Sequence, residues 1–96
     1  MTNKRFYIKD PSAVLDYSFD WSEYLAETSP VDTIASSTWT ASSSGITIDS
    51  ANNSQTLTTV WLSGGTRGSR YKLVNRIVTA GGRTDERTLE VRVQNR

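Results

Sequence analysis

The residue types that can do chemistry in this chain are few, and their spacing does not suit them to it. Asp16-x-Ser18-x-Asp20 repeats the opening of a calcium loop, D-x-S-x-D. Trp21 stands where that loop demands glycine, and the segment reads as a strand. On a strand, Asp16 and Asp20 lie about 13 Å apart at ~3.3 Å per residue. A carboxylate pair flanking a glycosidic bond spans roughly 5–9.5 Å, so these two are too distant. Gly64-Gly65-Thr66-Arg67-Gly68 superficially resembles a phosphate loop, but it lacks the Lys-Ser/Thr pair and leads into a strand rather than a helix. Asn52-Asn53-Ser54 fits a glycosylation sequon and, with no secretory signal, reads as a turn.

Histidine and cysteine are both absent. That removes the commonest general base, the commonest transition-metal ligand, thiolate chemistry and any disulfide framework. A Ser-His-Asp triad is impossible. The expectation is a non-enzymatic protein with no catalytic residues, no metal site and no cofactor. The opening MTNKRFYIKD lacks the apolar core of a signal peptide, and no stretch approaches the ~18–20 apolar residues that span a bilayer. No membrane partner is expected.

The elements that must carry whatever function remains are short strands. At 96 residues the chain is read as one domain over 1–96, with 1–9 as an N-terminal arm or edge strand. Ser and Thr occupy 13 positions each, and nine aromatics supply the large apolar area that a disordered chain lacks. After a weak segment at 5–9, which ends at Asp10-Pro11, Leu15, Tyr17 and Phe19 alternate with Asp16, Ser18 and Asp20. Asp20-Trp-Ser-Glu23 has the spacing of a capping box and predicts a short helix of one or two turns. Strand-like stretches follow at 33–41, 46–49, 55–63, 71–79 and 88–94. Ser42-Ser43-Ser44 reads as a loop, Asn52-Asn53 and Gly81-Gly82 as turns.

Six or seven short strands with turn signals every 8–12 residues predict an all-β fold. The architecture expected is an immunoglobulin-like antiparallel β-sandwich with one short helix; a five-stranded partly open barrel is the alternative. Leu73, Ile77, Leu89, Val91 and Val93 are expected to point inward, with Trp39 filling space between sheets ~10 Å apart. Tyr71 falls where such sandwiches place a tyrosine that bonds back to the backbone at a strand corner.

Charge is unevenly distributed. Residues 10–50 carry seven acids and no base; residues 51–96 carry eight bases against three acids. Either neighbouring strands pair these charges within the molecule, or an acidic face meets the basic face of a neighbouring subunit. A nucleic-acid partner would want bases gathered with aromatics, and none is expected. If Val60 and Leu62 point inward, Trp61 faces out, where an exposed aromatic marks an interface. The candidate partner contacts are Trp61, Trp21, Tyr24, Arg67 and Arg70; for Trp21 and Tyr24 the choice lies between sealing the open end of the sandwich and meeting a partner.

The strings VLDYSFDWSEYL, DTIASSTWT and TVWLSGGTRGSRYKLVNRIVTAGGRTDERTLEVRV resemble a small family of tailed-phage and prophage virion structural proteins, often labelled fibre–tail adaptor. The resemblance spans roughly residues 9–93. It implies an immunoglobulin-like virion module, assembled in the bacterial host cytoplasm and present in multiple symmetric copies. Its implied partners are tail, neck or fibre proteins, with capsid decoration as the alternative. A carbohydrate-binding module, stacking surface aromatics on sugar rings, is a third reading.

Overall fold

The computed structural model describes residues 4–42 and 44–94. Met1–Asn3 of the expected N-terminal arm, and Ser43 of the serine loop, lie outside the described residues. The described residues form seven strands and one helical turn: β1 (Lys4–Lys9), β2 (Leu15–Asp20), α1 (Ser22–Leu25), β3 (Ile34–Ala41), β4 (Ile46–Asn53), β5 (Leu57–Gly64), β6 (Arg70–Thr79) and β7 (Thr84–Val93). They build two sheets, a four-stranded one in the order β1-β7-β6-β3 and a three-stranded one in the order β2-β5-β4. This is the immunoglobulin-like sandwich rather than a barrel. β1 is the exception to its antiparallel plan and pairs parallel with β7. The two strands run toward the same end of the sandwich, and the turn at Asp10 carries the chain across to β2 in the other sheet, where the Ala13 N–H donates to the Asp10 carbonyl at 3.0 Å.

Period-two alternation determines which side chains are buried. Tyr17 and Phe19 of β2, Val60 and Leu62 of β5, and Leu73, Ile77, Leu89, Val91 and Val93 of β6 and β7 are buried between the sheets. At roughly 1.5–3 kcal/mol for each large apolar side chain removed from water, these rows drive the collapse. Trp39 is half-buried at the β3 edge and stacks across the layers on Phe19, with ring centroids 5.6 Å apart.

One buried polar residue interrupts the apolar row of β6. Asn75 lies between Leu73 and Ile77 and is fully buried. Its Oδ1 accepts the Thr58 hydroxyl at 2.6 Å and the Trp21 indole N–H at 3.1 Å. Its amide donates to Ser37 Oγ at 2.9 Å and to the Thr38 carbonyl at 3.1 Å. Four elements from both sheets therefore meet at one satisfied amide.

Both ends of the sandwich are pinned by side chains. At one end, the Tyr71 phenol oxygen accepts the Thr66 N–H at 2.9 Å, the expected corner bond. Lys9, wholly buried, donates from Nζ to the Gly64 carbonyl at 2.7 Å and to the Asp10 carbonyl at 3.0 Å. Burial lowers the pKa of its ammonium, and Asp10 and Asp49 pull it back up. At the other end, Asp32 accepts the Thr33 and Gly81 N–H groups, both at 2.9 Å, with Arg83 Nε 3.7 Å away. A Cβ on Gly81 would sit 2.9 Å from Asp32 Oδ2, so glycine there serves close approach, while Gly82 supplies the positive φ of +91°. The hairpin is wider than the Gly81-Gly82 pair predicts: the Thr79 N–H reaches the Arg83 carbonyl at 2.8 Å.

Two local expectations are corrected. Asn52 and Asn53 do not form a turn; they extend β4 opposite Thr59 and Thr58. The reversal comes later, where Ser54 Oγ accepts the N–H groups of Thr56 and Leu57. The capping box is also missing: α1 has Trp21 at its N-cap without a side-chain cap, and the Asp20 carboxylate instead accepts the Ser22 N–H at 2.9 Å.

Replacing Asn75 by Ala should cost about 2–3 kcal/mol in urea denaturation, because buried donors lose their acceptor. Tyr71→Phe, which deletes one hydrogen bond to a backbone N–H, should cost about 1 kcal/mol in the same assay. For Asp32, the Thr79 hydroxyl bond, then the Thr33 and Gly81 N–H bonds and the Arg83 charge, outweigh desolvation and hold its pKa below the ordinary carboxylate value. A depressed native pKa contributes stability that is present above the unfolded carboxylate range and lost as pH falls through the native value. Urea midpoints measured from pH 7 down to pH 3 should therefore fall, and Asp32→Asn should make that decline shallower.

Candidate functional site

Alternation that fills the core also fixes what each sheet shows to solvent. On the three-stranded sheet, burial of Val60 and Leu62 turns Trp61 outward at 39% exposure. Trp61 lies on the central strand, opposite Asp16 of β2 on one side and Ser50 of β4 on the other. A bulge between Ile48 and Ser50 leaves Asp49 beside them, accepting the Ser63 hydroxyl at 2.9 Å. Asp20 completes the exposed row of β2. Among the described residues, this face carries three carboxylates and no base, and the Trp61 ring has neither an aromatic nor a cationic partner. The suspected D-x-S-x-D loop is regular strand, with Asp16 and Asp20 both exposed.

The outer face of the four-stranded sheet has the opposite character. Arg70, Lys72 and Arg76 of β6 face outward with Arg92 of β7, while Tyr71, Leu73, Val91 and Val93 point in. Cross-strand register sets Lys72 opposite Glu90 and Arg76 opposite Glu86, but it sets Arg70 opposite Arg92. Like charges directly opposite each other are unfavourable. No carboxylate pairs with either arginine among the described residues, and the buried Nε of Arg92 has no hydrogen-bond partner. Ile8, 42% exposed, adjoins Arg92 in the β1–β7 register. The unequal charge halves of the sequence thus become two oppositely charged outer faces. At the α1 end, Arg83 and Asp32 form an ion pair within 4.0 Å.

The five residues singled out from sequence fall at two ends. Trp61, Arg67 and Arg70 gather near the loop 65–69 that joins β5 to β6, with Arg67 and Arg70 exposed. Tyr24 and Trp21 sit at the far end. Trp21 is a correction: it is 0% exposed, its indole N–H is bonded to Thr58 and Asn75, and it seals the core instead of meeting a partner. Tyr24 is half-buried against Trp21, with ring centroids 5.6 Å apart. Arg83 lies 4.3 Å over the Tyr24 ring and Arg87 4.1 Å over the Trp21 ring. These arginines also donate to the carbonyls of Tyr24 at 3.2 Å and Asp20 at 2.8 Å, clamping α1 onto the four-stranded sheet.

Sequence reasoning missed Asp16 and Asp49 as flanks of Trp61, and Arg92 as the partner of Arg70 across the strands. The period-two signal that turned Trp61 outward contained the first of these; the Arg70–Arg92 juxtaposition required the hairpin register. No helix among the described residues is long and apolar enough to cross a membrane.

No curated protein matches the chain. Residues 9–92, from the end of β1 almost to the end of β7, match the family described as podophage GP4 fiber-tail adaptor protein gp77. With nearly all of the sandwich inside that match, the chain belongs to the podophage GP4 fiber-tail adaptor family.

Proposed function

We propose that this chain is a non-enzymatic adaptor in the virion of a tailed phage, built in the host cytoplasm and docking in multiple copies onto tail, neck or fibre proteins. The observation that carries the reading is Trp61: among the described residues, a large aromatic held outward without a ring partner, flanked by Asp16 and Ser50, on a face whose other exposed large apolar side chain is Leu57 at the start of β5. An isolated, partly exposed tryptophan amid polar side chains has the anatomy of an interface anchor with a hydrated rim. Elsewhere in the molecule, polar side chains with defined partners are tied to the fold, as Asn75, Asp32, Lys9 and Tyr71 are. That division of labour suits a rigid spacer.

Arg67 and Arg70 at one end, and the half-buried Tyr24 at the other, are the further contact residues of this proposal; Trp21, being buried, is not among them. Placing contacts at both ends suits a bridge between neighbouring virion subunits, and repetition around a symmetric particle multiplies weak single contacts. The bases of the four-stranded sheet are interspersed with Glu86 and Glu90, which favours a protein partner over a nucleic acid. A sugar-binding reading needs a row of coplanar exposed aromatics, and among the described residues Trp61 is the one aromatic more than a third exposed.

The test uses particles made without the protein and complemented with wild-type or variant chain, scored by immunoblot of purified particles and by electron microscopy of fibre attachment. Trp61→Ala, and separately Arg67→Ala with Arg70→Ala, should reduce incorporation roughly tenfold or more, while their circular-dichroism spectra and urea midpoints match wild type. Incorporation at wild-type level by both variants would remove these contacts from the proposal.

A further inference from the structure

Two patches of opposite charge lie back to back at the same end of the sandwich among the described residues. Trp61 is three residues from Gly64, the last residue of β5, and Arg70 is the first residue of β6; the loop 65–69 joins them. On one outer face this end presents Trp61 with Asp16 and Asp49 beside it. On the other it presents Arg70 and Arg92 side by side, with exposed Ile8 next to Arg92. One patch joins a ring to two carboxylates, and the other joins two guanidinium groups to an aliphatic side chain. Each supplies what the other lacks. Carboxylates relieve the opposed arginines through planar, two-point hydrogen bonding, and an indole face accepts a guanidinium or packs on an isoleucine.

From this complementarity we infer that the Trp61–Asp16–Asp49 patch of one copy docks on the Ile8–Arg92–Arg70 patch of a second copy. The inference deepens the adaptor reading and rests on its multi-copy character, because it names the partner of the Trp61 face. The contact is heterologous: the surfaces differ, so each copy keeps one patch open after pairing. Repetition closes a ring if the rotation between copies divides the circle and otherwise grows a filament. Both patches lie at one end, which leaves the end with α1 and Tyr24 outside the contact and available to a different protein. The charges fix polarity, since acidic against acidic and basic against basic are both repulsive.

The experiment is sedimentation velocity on the purified full chain and two face variants, each first checked by circular dichroism and urea denaturation. One variant combines Trp61→Ala, Asp16→Asn and Asp49→Asn; the other combines Arg70→Gln and Arg92→Gln, with Arg70→Gln alone as a milder form. Neutral replacements are used so that no new opposite charges are created between the variants. Wild type should self-associate with concentration, less so as ionic strength rises. Each variant alone should remain a monomer, with self-association weakened roughly tenfold or more. Their equimolar mixture should form a 1:1 pair and stop there, because it contains one intact contact and no way to extend it.

Wild type that stays monomeric at millimolar concentration overturns the inference, as does a mixture that forms no pair while wild type assembles. A variant that assembles as well as wild type does the same. The adaptor reading is judged separately by particle incorporation. A chain that is monomeric in solution yet enters particles in a Trp61-dependent manner sinks the self-contact and keeps the adaptor; assembly without incorporation does the reverse.

Discussion

The amide of Asn75 is the constraint on which the rest of this molecule depends. A buried amide left unpaired costs more than most single apolar contacts supply, so its four bonds admit few alternatives. It accepts from Trp21 and Thr58, which belong to the chain leaving β2 and to β5 of one sheet. It donates to Ser37 and Thr38 on β3 of the other. A slip of one residue in β6 would point the amide at solvent and bring an exposed side chain into the core, and a slip in β5 would take Thr58 away from it. Apolar burial drives the two layers together; this polar knot decides how they are registered.

Once that register is set, the surface follows. The same parity that buries Val60 and Leu62 exposes Trp61, and the parity that buries Tyr71 and Val91 exposes Arg70 and Arg92. Rigid corners at Tyr71 and Lys9 hold these side chains in place at one end. Arg83 and Arg87 perform the equivalent service at the other, covering the Tyr24 and Trp21 rings and bonding the chain around α1. A small sandwich treated in this way holds its surface side chains at fixed positions relative to one another. That suits a member of the fiber-tail adaptor family.

Much of this was legible in the sequence wherever a strong local signal coincided with burial. Leu15-Asp16-Tyr17-Ser18-Phe19-Asp20 alternates cleanly and is β2; the inward row of β6 and β7 and the corner at Tyr71 were read in the same way. The misreadings have physical causes. Asn52 and Asn53 favour turns locally, but at a sheet edge they pair with Thr59 and Thr58, and the Ser54 hydroxyl wins the reversal by taking two N–H groups. Trp21 sits beside a helix start and looked available to a partner, yet its indole N–H is held by residues 37 and 54 positions away. The importance of Asn75 was invisible for the same reason, since its partners are distant along the chain.

By itself the sequence determined the class of fold, the inward and outward parity of its strands, and the absence of histidine and cysteine chemistry. These are properties of composition and of neighbours two residues apart, which the chain states directly. Tertiary structure alone decided that the acidic and basic halves become opposite outer faces, that Arg70 meets Arg92, and that Trp61 shares its end of the sandwich with them. Those juxtapositions depend on strand order and register, which are set by contacts between residues tens of positions apart and by the balance of burial against hydrogen bonding at each crossing.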